Sequence, residues 1–383
     1  MTSVAFVTII AGNYAAYASA LMASVAAHES AADRFVLVVD STVTEIPGAS
    51  VISPNDLGLG DSEIQRLTSI YDVMEYCTSL KASTLLHLLS SYEEVVFLDP
   101  DVVLFASLTS RPMWQVDWTV ALTPHRLTPP PKDGLVPDEE LIQRYGVWNL
   151  GFMAVRRGGE PVLEWWHERL KWWSLKSPSS SVYTDQRWMD LAPSYFDIFV
   201  MRDPTMNVAP WNIDERDLQE VNARWCVGTQ PLTFAHFSGI RATVDQDVLG
   251  PYARVNDDPG RAQQFLKLCN WYRQEVSDQS SFANSEYAFA RDRTGRRITP
   301  ASRRRWRRDL YLGRMSKQNS RQRLFHLSPS LTESHTAEGL RSGFRSDLKR
   351  IRTSPKAETL RRKLHRVPVV RRLLSLPRQW NAL

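Results

Sequence analysis

Two carboxylates, Asp99 and Asp101, directly follow a short apolar run, residues 95–98 (VVFL). The run is β-branched and aromatic, which is typical of a strand buried on both faces. Pro100 lacks an N–H group and has a fixed φ, so we expect strand pairing to stop there and the chain to turn. Open α/β sheets bind ligands at the carboxyl ends of their strands. Two hard oxygen ligands in this place suit Mg²⁺ or Mn²⁺ holding a diphosphate, although a carboxylate pair is also a common loop terminus.

A histidine and a lysine lie at positions from which they can join these acids. Residues 232–239 (LTFAHFSG) begin as a predicted strand, and His236 lies where that strand ends, as the aspartates lie at the end of theirs. It is therefore a candidate third metal ligand, although a lone histidine is usually structural. Lys81 lies in a stretch with helical apolar spacing, residues 64–89, shortly before the acid-bearing strand. A lysine there can counter a nucleotide phosphate, and the alternative is a solvated helix lysine.

Four more residues have a type and a position that fit a binding site. Asn149 and Gly151 lie within an apolar strand, residues 147–155 (VWNLGFMAV). A buried amide must find partners, so Asn149 is expected either to bind a sugar hydroxyl or to tie down a neighbouring loop. Asp185 and Gln186 begin the next predicted helix, where an acid is often only a partner of the helix dipole.

The elements that must position these residues alternate between strands and helices. Residues 4–10 and 35–40 predict strands, with a short third strand at 51–52, and an Ala-rich helix to about residue 28 follows the first. This alternation predicts parallel pairing in an α/β sheet. No GxGxxG follows the first strand, and GxxxxGK[ST] does not occur. The sequence therefore argues against dinucleotide and P-loop phosphate binding.

The composition is typical of a large folded protein. The 383 residues are 43% hydrophobic and include 13 Trp, which suits one domain plus an extension. Cys77, Cys226 and Cys269 lack metal-site spacing, so we expect reduced thiols in a cytoplasmic protein. The uncharged run at residues 4–27 lacks the basic start of a signal peptide, and we expect a strand, a loop and a helix there.

Charge divides the chain into two parts. From residue 291 onward, 26 Lys and Arg face 6 Asp and Glu, a net +20, whereas the preceding residues carry −15. We therefore predict a catalytic domain at 1–290 and a basic extension at 291–383. Residues 302–308 (SRRRWRR) and 360–372 combine cations with apolar residues, which suits an anionic membrane surface and a peripheral place on the cytoplasmic membrane face. A flexible, solvated tail is the alternative, and nucleic acid is disfavoured because no recognition module is evident.

Taken together, these segments resemble the GT-A nucleotide-sugar glycosyltransferases, in particular the retaining group that contains glycogenin and the bacterial lipopolysaccharide galactosyltransferases. FLDPD is similar to the YLDxD signature of that group, and HFSG to its HxxG element. The opening strand and NYAAYA resemble its nucleotide-binding start. The short matches occur in the family's order over roughly residues 4–240. The resemblance implies a GT-A, Rossmann-like α/β fold with a mixed, mainly parallel sheet flanked by helices, followed by a basic helical or partly disordered extension.

The resemblance also implies an activity and a site. The implied reaction is the metal-dependent transfer of a sugar from a nucleotide-sugar donor to the hydroxyl of a glycan or lipid-linked acceptor, with retention of configuration. It implies Mn²⁺ or Mg²⁺ bound by Asp99, Asp101 and His236, and it implies Asp185 and Gln186 as catalytic residues at the reacting carbon. The donor-binding residues that it implies are Thr8, Asn13, Tyr14, Lys81, Asn149, Gly151, Asp185, Gly239 and Arg241.

The sequence departs from the family pattern at two places. Ala11 and Gly12 stand where relatives have acidic residues, so backbone groups are expected to recognise the uridine. Arg241 is expected to replace the lysine that often follows HxxG. Two alternatives remain. A sugar-phosphate nucleotidylyltransferase would need a Gly-rich, basic loop at residues 11–16, and a non-catalytic nucleotide- or carbohydrate-binding protein would keep the same fold.

Overall fold

The protein is described by a computed structural model that covers residues 3–40, 43–177, 182–241, 254, 258–279, 286–292, 294–311 and 313. All of these residues lie in one compact unit, Met1–Arg321. Its strands are β1 (Val4–Ile10), β2 (Asp33–Val38), β3 (Ser50–Ile52), β4 (Glu94–Leu98), β5 (Val102–Leu104), β6 (Val120–Pro124), β7 (Trp148–Arg156), β8 (Leu175–Ser177), β9 (Val182–Thr184), β10 (Phe199–Val200), β11 (Leu218–Val221), β12 (Arg224–Val227), β13 (Gln230–Pro231) and β14 (Phe234–His236). Its helices are α1 (Ala15–His28), α2 (Asp61–Ile70), α3 (Val73–Ser79), α4 (Lys81–Leu89), α5 (Glu139–Tyr145), α6 (Glu160–Trp173), α7 (Gln186–Met189), α8 (Pro259–Asp278) and α9 (Pro300–Tyr311).

A seven-stranded sheet forms the centre of the unit, in the order β10-β6-β7-β4-β1-β2-β3. β1 pairs in parallel with β2 and β4, and β2 pairs in parallel with β3. Helix α1 connects β1 to β2, and helices α2 to α4 connect β3 to β4, whereas the described residues between β2 and β3 contain no helix. Of the seven strands, β7 runs antiparallel to its neighbours β4 and β6. The sheet is thus mixed and mainly parallel and is flanked by helices, which confirms the predicted fold class.

The continuous helical pattern at residues 64–89 forms three helices, α2, α3 and α4, and not one. Tyr71 adopts an extended conformation, with φ −113° and ψ 141°. Asp72 then caps α3: its carboxylate accepts the Glu75 N–H at 2.9 Å, and its own N–H donates to the Glu75 carboxylate at 3.2 Å. This is a capping box, which starts a new helix without interrupting the apolar spacing.

Outside the large sheet, α8 helps to fix the strand that carries His236. The Tyr272 ring stacks on Phe237, directly after β14, with ring centroids 3.9 Å apart and an interplanar angle of 6°. Both rings are buried, together with Phe265 and Leu268 of the same helix. Such stacked, buried rings contribute apolar area and a defined geometry. The end of β14 therefore has little freedom to move.

The first part of the predicted basic extension is a folded helix, α9. Trp306 and Arg303 are buried, and the Arg303 guanidinium donates to the Thr68 carbonyl at the end of α2. Residues 302–308 thus belong to the packed body of the protein. Residues 360–372 lie outside the described residues, and the boundary after residue 290 stays a prediction. No helix within the described ranges has the length and apolar content needed to cross a membrane.

Candidate functional site

The turn after β4 and the end of β14 bring the predicted metal ligands together. β14 pairs antiparallel with β5, which places His236 opposite Val102, the residue after Asp101. The Phe237 N–H donates to the Asp101 carbonyl at 2.8 Å. This register fixes the imidazole beside the acidic turn, although about 135 residues separate the two in sequence. The geometry thus brings together residues that lie far apart in the sequence.

Asp99, Asp101 and His236 form a set of potential metal ligands. Each offers one ligand atom, and the three atoms lie within 4.8 Å of one another. The His236 Nε2 lies 3.1 Å from the Asp101 Oδ1. Two carboxylates and one imidazole are a donor set that suits Mn²⁺, and Mg²⁺ through the oxygens. Asp99 and Asp101 keep side-chain exposures of 30% and 18%, so a ligand can reach them.

Lys81 links two acids at this edge of the sheet. Its Nζ lies 3.0 Å from the Asp99 Oδ1 and 3.0 Å from the Asp185 Oδ2, and it donates to the Leu150 carbonyl at 2.8 Å. The residue is only 4% exposed, which rules out the solvated helix lysine. The contact with Leu150 is a hydrogen bond, and the two carboxylates lie at ion-pair distance. In this arrangement Lys81 neutralises protein carboxylates, and its contact with a nucleotide phosphate stays a prediction. We call Lys81, Asp99, Asp101, Asp185 and His236 the edge cluster.

The charges of the edge cluster shift one another's pKa values. Burial opposes the charge on Lys81, but Asp185 and then Asp99 raise the pKa of Lys81 above its usual value. Burial raises the pKa of Asp99 by more than the nearby ammonium lowers it. In contrast, burial raises the pKa of Asp101, but the charge and hydrogen bond of His236, a backbone hydrogen bond and the charge of Lys81 together lower it below its usual value. Asp101 also raises the pKa of His236, against burial. The edge cluster therefore contains two sets of ion pairs, Lys81 with its two acids and His236 with Asp101. In both sets the positive charge offsets negative charge within the site.

Gly151 is required by the position of the His236 ring. A Cβ at residue 151 would lie 2.3 Å from the His236 Cε1 and 2.7 Å from its Nδ1. The imidazole therefore occupies the space that any other residue would fill. The Asn149 Oδ1 accepts the Gly151 N–H at 2.8 Å, so this amide ties down its own strand. This bond lies within β7 and does not reach the neighbouring loop that was one expectation for Asn149, and contact with a sugar hydroxyl stays a prediction.

Asp185 and Gln186 lie at the junction between β9 and α7, and the backbone around them orients both side chains. Thr184 has a left-handed backbone, φ 45°, and its hydroxyl donates to the Asp185 Oδ1 at 2.8 Å. The Trp166 indole donates to the Asp185 carbonyl at 3.0 Å. The Gln186 Nε2 donates to the Tyr145 carbonyl at 2.9 Å, and its Oε1 accepts the Leu150 N–H at 3.3 Å. Both side chains are thus held in place before any ligand arrives.

Five of the predicted donor-binding residues divide into exposed and buried positions. Asn13, Gly239 and Arg241 are exposed, whereas Thr8 is fully buried within β1. Tyr14 is 42% exposed, and partial burial, then the charge of Asp101, raise the pKa of its hydroxyl to about 12. The charge of Arg241 opposes this shift.

Comparisons with known proteins give these findings. No protein-family model matches the chain. The uncharacterized protein YfnD of Bacillus subtilis (strain 168) is 24% identical over 237 residues, which are 58% of this chain and 74% of that protein. The galactosyltransferase LgtC, crystallised with donor and acceptor sugar analogues, superposes with a TM-score of 0.44 at 14% identity over 73% of this chain and 97% of LgtC. The glycosyltransferase GlyE of Streptococcus pneumoniae TIGR4 superposes with a TM-score of 0.39 at 13% identity over 73% of this chain and 64% of GlyE.

Two residues of the site were not among the predicted ones. The Trp211 ring meets the His236 ring edge to face, with centroids 5.2 Å apart and an interplanar angle of 85°. Within the described residues, the His236 Nδ1 and the Trp211 Nε1 are buried without a hydrogen-bond partner. The second residue is Asp40, whose Oδ1 accepts the Gly12 N–H at 3.1 Å and so holds the loop after β1. Asp40 comes shortly after β2 as Asp99 comes after β4, and that shared position was the available signal. No sequence signal pointed to Trp211.

Proposed function

We propose that this chain is a metal-dependent glycosyltransferase of the GT-A fold, similar to the retaining group that contains glycogenin. It moves a hexosyl or N-acetylhexosaminyl group from a nucleoside diphosphate sugar, first of all a UDP-sugar, to a hydroxyl of a glycan or lipid-linked saccharide. The observation that supports the proposal most is the convergence of Asp99, Asp101 and His236 beside the buried Lys81 and Asp185 pair. A cation site next to a preorganised acid is what transfer from a nucleotide sugar requires.

Asp99, Asp101 and His236 would hold Mn²⁺ or Mg²⁺ in this enzyme. Such a cation, when bound, stabilises the negative charge of the leaving diphosphate as a Lewis acid. The ligand set fits it because the two carboxylates keep exposed surface and Gly151 leaves room for the imidazole. Arg241, an exposed cation near Tyr14, can add positive charge on the diphosphate side.

The sugar would lie against the residues around Asp185. The Thr184 hydroxyl holds the Asp185 Oδ1, whereas the buried Oδ2 lies 3.0 Å from the Lys81 Nζ and accepts no hydrogen bond within the described residues. This oxygen can therefore accept a hydrogen bond from a donor hydroxyl at little entropic cost. Gln186 is held at both ends of its amide, and we place it at the reacting carbon. An amide is a weak nucleophile, so it would stabilise developing positive charge at that carbon without forming a covalent intermediate. We expect retention of configuration from the resemblance to the retaining group, and not from the chemistry of this amide.

Hydrolysis of a panel of nucleotide sugars tests the proposal. We expect the purified chain to release the sugar from at least one nucleoside diphosphate sugar with Mn²⁺, and EDTA to stop the release. NMR of the first-formed sugar should show the anomer of the donor, and the inverted anomer would overturn the retaining assignment. Binding without turnover would favour the non-catalytic alternative. Formation of a nucleotide sugar from a sugar phosphate and a nucleoside triphosphate would favour the nucleotidylyltransferase.

We also propose that the basic part of the chain contacts an anionic membrane surface. Among the described residues, Arg305 and Tyr311 of α9 are exposed, and a cation with an aromatic ring suits a lipid interface. Flotation with anionic and with neutral liposomes tests this. We expect partition into the anionic vesicles only, and equal partition into both, or none, would remove the proposal.

A further inference from the structure

Glu75 is not among the predicted site residues, and its carboxylate is fully buried, with 0% side-chain exposure. Its Oε1 accepts the Lys176 N–H of β8 at 2.8 Å, and its Oε2 accepts the Asp72 N–H at 3.2 Å. Arg304 of α9 donates to both oxygens, at 3.0 Å to Oε2 and at closer range to Oε1. A buried carboxylate is tolerated only when it is paired and hydrogen-bonded, and Glu75 meets both conditions.

Glu75 joins the two elements that carry the Lys81 and Asp185 pair. It lies on α3, and the chain continues from α3 directly into α4, which begins with Lys81. On its other side it holds β8, which pairs with β9 so that Leu175 lies opposite Thr184. The next residue is Asp185. One carboxylate thus sets the position of both partners of an ion pair in the edge cluster.

The helix α9 supports the other side of Asp185 as well. The Arg307 guanidinium lies 4.5 Å from the Trp173 ring centroid, and Tyr311 contacts the same ring edge to face at 5.6 Å. The Trp173 carbonyl accepts the indole N–H of Trp188 at 3.1 Å, and Trp188 lies on α7, three residues after Asp185. Basic and aromatic side chains of α9 therefore reach the segments on both sides of this acid. We call Glu75, Arg304, Arg307 and Tyr311 the brace.

We propose that Arg304 and Glu75 are positioning residues for the reaction, which keep Asp185 within reach of Lys81 and of a bound donor. The inference rests on the proposed function. By this inference α9 supports the catalytic site. The charge pattern alone had placed these residues in a membrane-binding extension. An arginine fork matches a carboxylate with two parallel hydrogen bonds, so it fixes orientation as well as charge. Loss of that fork should loosen the β8 and β9 hairpin and leave the metal ligands in place.

The first measurement does not depend on catalysis. It compares hydrogen exchange in the full-length wild type, Arg304→Ala and Arg308→Ala without metal or donor. Arg308 is an exposed control on the same helix, paired with Asp309. We expect Arg304→Ala to raise exchange about tenfold in β8, β9 and α7 but not in β4, and Arg308→Ala to match the wild type. If β8 and β9 exchange in Arg304→Ala at the same rate as in the wild type, the inference is wrong.

The second measurement uses hydrolysis of the nucleotide sugar on which the wild type is active. We expect Arg304→Ala to lower kcat/KM about 10- to 100-fold and to leave the Mn²⁺ dissociation constant, measured by electron paramagnetic resonance, unchanged. Added guanidinium ion should restore part of the rate, because the Arg304 side chain is 32% exposed and its space is open to solvent. Glu75→Gln, which keeps the shape but not the charge, should act in the same direction.

The outcomes separate the two proposals. A wild type that hydrolyses no nucleotide sugar would refute the proposed function, and hydrogen exchange would still decide the inference. An active wild type with Arg304→Ala as fast as Arg308→Ala would refute the positioning role. If Arg304→Ala does not fold, Arg304→Lys replaces it in both measurements, since lysine keeps the charge but loses the fork.

Discussion

The edge cluster and the Glu75–Arg304 pair of the brace both join carboxylates to cations, but they differ in how much of each carboxylate is exposed. The Glu75 carboxylate has no exposed surface, and four protein donors surround its oxygens. Asp99 and Asp101 keep exposures of 30% and 18%. Asp99 pairs with Lys81, and Asp101 pairs with His236. A carboxylate that the protein satisfies completely holds the fold together. A carboxylate that the protein satisfies in part, at the carboxyl edge of a sheet, is available to a ligand.

Removal of the cation from each cluster should show the largest difference between the two. Lys81→Met leaves Asp99 and Asp185 without their ammonium partner, and breaking such a buried pair costs about 3–5 kcal/mol of unfolding free energy. Mn²⁺ should recover part of this loss, because a cation beside Asp99 replaces the missing charge. Arg304→Met should also destabilise the protein, but Mn²⁺ should not recover its stability beyond the gain of the wild type. Urea unfolding with and without Mn²⁺ measures both, and equal recovery of the two variants would erase the distinction between the clusters.

A smaller effect, on binding, is expected from Asp101→Asn. The amide keeps the size of the side chain but removes one anionic ligand and the partner of the His236 imidazole. Mutating groups that only support metal ligands costs 10- to 100-fold in affinity, so losing a ligand should weaken Mn²⁺ binding by at least about 100-fold. Donor turnover should fall with it. Asp197→Asn, at an exposed position, is the control, and wild-type Mn²⁺ affinity in Asp101→Asn would contradict the assigned site.

Gly151→Ala should weaken the site without changing any ligand. The added Cβ would lie 2.3 Å from the His236 Cε1, so the imidazole must move away from Asp101. We expect Mn²⁺ affinity to fall about tenfold, and overpacking to cost about 1–3 kcal/mol of stability. Gly60→Ala is a matched control, because a Cβ there meets no atom within 4 Å and the backbone φ is −72°. Titration of both variants with Mn²⁺ distinguishes displacement of the ring from a general effect of losing a glycine.

The sequence predicted the parts of the site that follow strands, and it did so for a physical reason. Asp99, Asp101 and His236 were expected together because each was predicted at the end of a strand. The structure joins them through the antiparallel pairing of β14 with β5, outside the seven-stranded sheet. The burial of Lys81 was not predictable from the sequence. The apolar spacing of residues 64–89 is continuous and hides the break at Asp72, where a new helix begins. Trp211 and Glu75 were missed because their partners lie about 25 and 229 residues away, and pairing over such distances leaves no local pattern.

The smallest expected effect concerns a neutral group near the edge cluster. His125 stacks edge to face on Trp211 with centroids 5.4 Å apart, and burial lowers the pKa of its imidazole to about 4. The unfolded chain binds a proton at about pH 6.5, so the folded state loses stability as the pH falls from there towards 4. His125→Gln removes this proton, and the variant should lose about 1 kcal/mol less than the wild type between about pH 7 and about pH 5.5. Urea unfolding at several pH values measures the difference, with His87→Gln on α4 as control. Identical pH profiles would mean that His125 takes up its proton in the folded protein, and that the site tolerates a positive charge which neither cluster compensates.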